Sequence, residues 1–285
     1  MALDRLIEGI RRTGNPTVAG LDPLPEYIPP QLRARYSDDA SAVLAFNCAL
    51  IDALCDIVPA VKPQAAFYER LGWQGMRALA ETIQYARGRG LFVIIDAKRG
   101  DIGSTMEAYA AAHLGTHAPF AGDALTVNPY LGSDGITPLL KRCAETDTGI
   151  FVLVKTSNPS SGELQDRLID GAPVYRRVGE MCEEWGRLLP GAQCYSGVGA
   201  VVGATYPAQL TELRAALPHT FFLVPGYGAQ GGGGAAVRGA FDEQGGGAVV
   251  NSSRALMCAW QKENAPEDFA GAARREALRM KEDIA

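Results

Sequence analysis

No apolar run in these 285 residues approaches the ~18 needed to cross a bilayer, so no membrane partner is expected. The N-terminus, MALDRLIEGIRRTG, lacks the apolar stretch and small-residue cleavage site of a signal peptide. It sets Leu3, Leu6, Ile7 and Ile10 on one stripe of a helix instead. The six cysteines (Cys48, Cys55, Cys143, Cys182, Cys194, Cys258) contain no CxxC pair, so they read as buried thiols of a cytoplasmic protein. There are three histidines. His113 and His117 share a metal-compatible spacing on a predicted helix, but the glutamate of HExxH is missing, and no metal is expected. Basic residues do not cluster, and the net charge is −5 with a pI near 5.3. That excludes the electrostatic footprint of a nucleic-acid binder. Sequence repeats and low-complexity tails are also absent.

What remains is an ordinary globular balance, 47% hydrophobic and 21% charged, with enough material for a large core. Eight short apolar runs punctuate the chain: TVAGLD (17–22), DIVPAVKP (56–63), LFVIIDAK (91–98), ALTVNPY (124–130), GIFVLVKTS (149–157), SGVGAVVGAT (196–205), TFFLVPG (220–226) and GAVVNSSR (247–254). Continuous rather than alternating apolar runs suit strands buried on both faces. Helical patterns separate most of them. One starts at Asp39, one runs from Trp73 to a terminal glycine, and one opens with Ser104 and Glu107 at capping-box spacing. Residues 227–246 are glycine-rich and weakly helical, and 160–171 read as an exposed loop. Eight strand–helix units predict a (β/α)8 TIM barrel, residues 1–285 forming one α/β catalytic domain.

Barrel enzymes place their chemistry at the C-terminal ends of the strands. The unusual residues of this chain gather there: Asp22, Lys62, Asp96, Lys98, Asn128, Lys155, Ser157, Gln230 and Arg254. In IIDAKRGD, strand alternation turns Asp96 and Lys98 to one side and Ala97 to the other. Asp101 lies just past Gly100. Lys62 ends the preceding run, so an alternating Lys–Asp–Lys–Asp network is possible at adjacent strand ends. Burying such charges is costly unless the site uses them. The glycines of PGYGAQGGGG let backbone N–H groups approach a phosphate, and Arg254 is a forked donor suited to one. Lys155 is expected to pair with a local carboxylate rather than act as a Schiff-base lysine. Trp73 and Tyr130 are expected to pack near the rim.

DAKRGDIGST resembles the DxKxxD signature of orotidine 5′-phosphate decarboxylases. GLDP (20–23), VKPQAAFYE (61–69), KTSNPSS (155–161), PGYGAQGG (225–232) and the final SSR resemble that family in the same order, and the longer bacterial branch in particular. The resemblance implies conversion of orotidine 5′-phosphate to uridine 5′-phosphate without a cofactor. It implies Lys98 as proton donor to C6 of the pyrimidine and Asp96 against the substrate carboxylate. Asp101, followed by Thr105, would enter the neighbouring subunit's site in a homodimer and complete the network with Lys62. Asp22 and Lys62 would hold ribose hydroxyls, Ser157 the pyrimidine, Gln230 the ring side and phosphate, and Arg254 the phosphate. A metal-dependent sugar-phosphate decarboxylase or synthase on the same barrel is the alternative enzyme. A phosphate-binding barrel without catalysis is the alternative of another class.

Overall fold

The computed structural model describes residues 1–228 and 233–285. Thr17–Leu21, Ala60–Pro63, Phe92–Arg99, Ala124–Val127, Gly149–Lys155, Val198–Val202, Phe222–Val224 and Ala248–Ser252 form a closed barrel in sequential order. Neighbouring strands are parallel throughout, and the eighth returns to the first with Thr17 opposite Val250. Seven strands lie inside their apolar runs, and the third overruns its own by one residue, Arg99. The runs are continuous because both faces are covered, one by the barrel interior and the other by helices. Every residue of the first, second, fourth, sixth, seventh and eighth strands is buried.

The base of the barrel is closed by the N-terminal helix, Ala2–Thr13. Leu3, Leu6 and Ile7 join Phe92, Phe151, Phe221 and Leu223 in one apolar cluster, with Ile10 at its edge. A fully buried Leu or Phe of this kind is worth about 1.5–3 kcal/mol. The helix ends where Gly14 takes φ 58° and returns its N–H to the Ile10 carbonyl. A second core fills the space between barrel and helices. There Phe46, Leu50 and Ile51 of the helix Asp39–Leu54 pack with Leu79 and Ile83 of Gly72–Gly88. Asp38 caps the former helix by accepting from Ser41 N–H. Ending this helical layer, Phe269–Ile284 buries Ala273, Ala277 and Met280. Among the described residues no helix is long and apolar enough to cross a membrane.

Several local expectations are corrected. The helix after the third strand runs Gly103–His113, starting one residue before Ser104, with Ile102 at its N-cap and no side-chain cap. Ser104 is therefore already inside the helix and the capping box does not form. The helix stops at His113, so His113 and His117 do not share a helical face. His113 is buried and stacked on Phe120, and burial pulls its pKa down to about 4. Residues 160–171 are more ordered than a plain loop: a 3-10 turn, Pro159–Glu163, leads to a hairpin pairing Leu168–Ile169 with Ala172–Pro173. Trp73 and Tyr130 are 71% and 77% exposed instead of packed. Trp73 lies on the outer side of the first turn of its helix, and Tyr130 sits in a turn where Asn128 accepts its N–H. All six cysteines are free thiols, but only Cys143, Cys182 and Cys258 are buried; Cys194 is exposed, with φ 67°.

Candidate active site

The third strand carries the charged cluster, and it does so through a break in its register. Between the pairs Ile95/Leu125 and Arg99/Val127 the third strand advances four residues and the fourth advances two. The surplus is absorbed at Asp96–Lys98, where Lys98 takes φ 47°. A lysine in left-handed backbone is strained and needs surrounding support. Thr126 supplies it. Its hydroxyl accepts the Lys98 N–H at 3.0 Å and donates to Asp96 Oδ1 at 2.9 Å. Ala97 turns outward and packs on the helical shell.

Asp96 stands between two ammonium groups. Lys62 Nζ lies 2.7 Å from Oδ2 and Lys98 Nζ lies 2.6 Å from Oδ1. Burial pushes the Asp96 carboxyl up, but Lys62 and Lys98 together outweigh it and hold the group far below the usual carboxylate range. Burial likewise pulls Lys62 down, and Asp96 with Asp22 more than restores it. Both groups are charged at neutral pH, so the cluster holds a pre-formed field rather than a neutral pair. Lys62 is buried, whereas the Lys98 side chain is 43% exposed toward the mouth. That exposure leaves Lys98 the group able to meet an incoming molecule.

Asp22 follows the first strand, its Oδ1 3.9 Å from Lys62 Nζ. This oxygen is buried and accepts no hydrogen bond from the described residues, an arrangement that a bound donor would satisfy. The backbone beneath it is held by Asp22 N–H donating to Met257 Sδ at 3.3 Å. Across the barrel closure, a Cβ on Gly20 would fall 1.9 Å from Ser253 Oγ. The glycine of GLDP thus makes room for the turn that follows the eighth strand. Arg254 opens the short helix Arg254–Met257 after that turn. The residue is exposed, and its guanidinium makes no hydrogen bond or ion pair among the described residues.

The remaining expected residues are placed less centrally. Ser157 is half-buried past the fifth strand, packed so closely that a Cβ on Gly203 would be 2.9 Å from its own. Asp101 makes no ion pair within the chain among the described residues; its Oδ1 accepts only the next N–H, from Ile102. Thr105 is exposed on the following helix. Asn128 accepts the Tyr130 N–H in its turn and donates its own N–H to the Arg99 carbonyl at 2.8 Å. Gln230 lies outside the described residues. Lys155, as expected, pairs with a local carboxylate, Asp166, at 2.7 Å. Cavities of about 370 and 840 Å³ open elsewhere, lined by residues such as Arg5 and Asp123 or Tyr195 and Arg214, and none of the cluster lines them.

Reading the sequence alone missed Thr126, Met257 and the reason for Gly20. Thr126 was open to detection: a hydroxyl at the inner end of the apolar run ALTV is a polar group needing a partner. The strand ends therefore bring together Lys62, Asp96, Lys98 and Asp22, an acid–base network at the mouth of a barrel.

Residues 19–269 match the model of the Orotidine 5′-phosphate decarboxylase / HUMPS family. The orotidine 5′-phosphate decarboxylase of Rhodopirellula baltica is 51% identical over 268 residues, covering 91% of this chain and 89% of that protein. The enzyme of the same name from Clostridium perfringens is 38% identical over 285 residues, covering 100% and 98%. The solved structure of Leishmania donovani OMP decarboxylase superposes with a TM-score of 0.75 at 32% identity, covering 97% of this chain and 98% of that one. With its barrel and its charged strand ends, the chain belongs to the orotidine 5′-phosphate decarboxylase / HUMPS family.

Proposed function

We infer that this protein decarboxylates orotidine 5′-phosphate to uridine 5′-phosphate, the last step of de novo uridine monophosphate synthesis. The observation that carries the reading is Asp96 clamped between Lys62 and Lys98 at 2.7 and 2.6 Å, in a chain of this family. In the reaction the bond from C6 to the carboxylate breaks, CO2 leaves, and the electron pair stays in an in-plane orbital at C6. The pyrimidine π system cannot accept that pair. An ammonium fixed beside C6 stabilises the developing charge and then delivers its proton there. Lys98 is the group we assign to both tasks, because it alone of the two lysines reaches toward the open mouth. Asp96 stands against the departing carboxylate, with Lys62 and Thr126 preventing its retreat. No external electron sink is required by this route.

The same reading assigns the other residues. Asp22, whose buried oxygen lacks a donor among the described residues, takes a ribose hydroxyl together with Lys62. Ser157 hydrogen-bonds the pyrimidine. Arg254 and Gln230 take the phosphate, with Gln230 also facing the ring. Asp101 and Thr105 serve the site of a second subunit in a homodimer. Support comes from the lack, among the described residues, of an in-chain ion pair for Asp101 and from the uncovered apolar side chains around it: Ile102, Tyr130 and Leu131 are 50%, 77% and 47% exposed. Exposed apolar groups of this kind favour an interface. Residues 1–285 act as one catalytic domain, consistent with the N-terminal helix forming the barrel floor. We place the protein in the cytoplasm.

Arg254→Ala tests the phosphate assignment. A guanidinium–phosphate contact is charge-assisted and about 1.5–3 kcal/mol strong. The kcat/KM for orotidine 5′-phosphate is therefore expected to fall ~10- to 150-fold. Orotidine, lacking the phosphate, should change less than about twofold, since the contact does not exist for it. Equal losses for both substrates would make Arg254 a structural residue.

A further inference from the structure

Lys155 is a buried charge that the chemistry above does not use. Its side chain is wholly inaccessible. It ends the fifth strand, where the register against the sixth slips between Leu153 and Lys155. The ammonium enters the space outside the barrel wall, 4.6 Å from the ring centre of Tyr206 and 5.6 Å from that of Tyr175. It donates to Asp166 Oδ1 at 2.7 Å and to Ser161 Oγ at 3.1 Å. Desolvating a lysine costs several kcal/mol even when it is paired. An apolar chain of equal length would fill this space more cheaply. What only the ammonium does is tie the strand end to residues six and eleven positions later.

The segment it ties is held by polar contacts alone: Tyr175 N–H donates to the Gln165 carbonyl at 3.0 Å, Gln209 Nε2 to Asp166 Oδ1 at 3.4 Å and Thr205 Oγ1 to the Ser157 carbonyl at 3.4 Å. Leu164, Leu168 and Ile169 point into solvent at 53%, 69% and 52% exposure, so no apolar anchor fixes the loop. A second polar clasp runs parallel to the first: Gln165 accepts from Thr156 N–H at 2.9 Å and donates to Thr156 Oγ1 at 2.7 Å. Ser157 is the next residue, held between this clasp and Gly203. We propose that Lys155 is a positioning residue of the active site, its ammonium locking the 156–166 loop so that the Ser157 hydroxyl is presented to the pyrimidine. This rests on the assignment of Ser157 to the ring.

The test separates ring from ribose phosphate by calorimetric titration with uridine 5′-phosphate and with ribose 5-phosphate. Ser157→Ala should weaken uridine 5′-phosphate about tenfold, the ~1.4 kcal/mol of one well-placed hydrogen bond. Lys155→Met should do the same, and the double variant should be no weaker than either single one, because both remove one contact. Ribose 5-phosphate should stay within about twofold in every variant. The Asp166 side chain is 42% exposed and can rehydrate when its partner is lost. If Lys155→Met fails to fold, Asp166→Asn, which leaves Lys155 with Ser161 and Tyr206, is judged by the same criteria. An effect of Ser157→Ala with no effect of the lock variants overturns the proposal. So do equal losses for both ligands, or additive losses in the double variant. An unaffected Ser157→Ala overturns the ring assignment itself, and the proposal with it.

Discussion

Lys98→Ala should lose at least about 10⁴-fold in kcat, roughly 5 kcal/mol of transition-state stabilisation, while keeping its fold. The size follows from two roles on one atom. Proton donation by a placed side chain contributes ~10²–10⁴, and a preorganised charge at a developing anion contributes ~10²–10³. The fold should persist because the Lys98 side chain is 43% exposed and carries no core. Asp96 keeps two of its partners in the variant, Lys62 at 2.7 Å and Thr126 at 2.9 Å. Alanine meets the same left-handed backbone as lysine, since both have a Cβ, so no new strain enters at φ 47°. Steady-state rates and a thermal melt together check this. Retention of more than a tenth of kcat, a loss under about 1.4 kcal/mol, contradicts the assignment. A collapse of the melting transition would instead mark Lys98 as a residue of the scaffold.

Asp101→Ala and Lys98→Ala proteins should each be inactive alone and recover activity when their subunits are exchanged. Asp96 and Lys98 are fixed by their own strand, whereas Asp101 lies beyond Gly100 and pairs with no cation of its own chain among the described residues. In a two-fold dimer with shared sites, a hybrid has one site with both lesions and one with neither. Random exchange makes half of the dimers hybrids, each with one good site of two, so about a quarter of wild-type activity should return. Native mass spectrometry confirms the hybrid. Recovery near zero with hybrids present would put Asp101 in its own subunit's site, or outside the chemistry.

The eight strands were legible because parallel strands buried on both faces leave uninterrupted apolar runs, and each run ends where the polar mouth begins. Lys62, Asp96 and Lys98 were legible for the same reason, being charges at the ends of such runs. The bulge at 96–98 was not. Simple alternation does put Asp96 and Lys98 on one side, but nothing in IIDAKRGD announces two surplus residues against the fourth strand or a left-handed Lys98. That geometry depends on Thr126, a residue about thirty positions away. Ser104 shows the opposite failure, a local signal overridden when the helix began one residue earlier. Trp73 and Tyr130 were misread because an aromatic residue looks the same in sequence whether it packs within a subunit or lies on its surface. Lys155 was legible as half of an ion pair, but not as the anchor of a loop, because Asp166 and Ser161 meet it only after the chain has turned back.

The central claim is that this chain's own lysines and carboxylates perform the decarboxylation. Turnover of orotidine 5′-phosphate by protein dialysed against EDTA, followed by ultraviolet absorbance with chromatographic identification of the product, tests it most directly. The account predicts one uridine 5′-phosphate for each substrate consumed, at a rate unchanged by the chelator or by added Mg²⁺. Absence of turnover, or turnover that EDTA abolishes and Mg²⁺ restores, would contradict it and favour the metal-dependent sugar-phosphate chemistry of the same barrel.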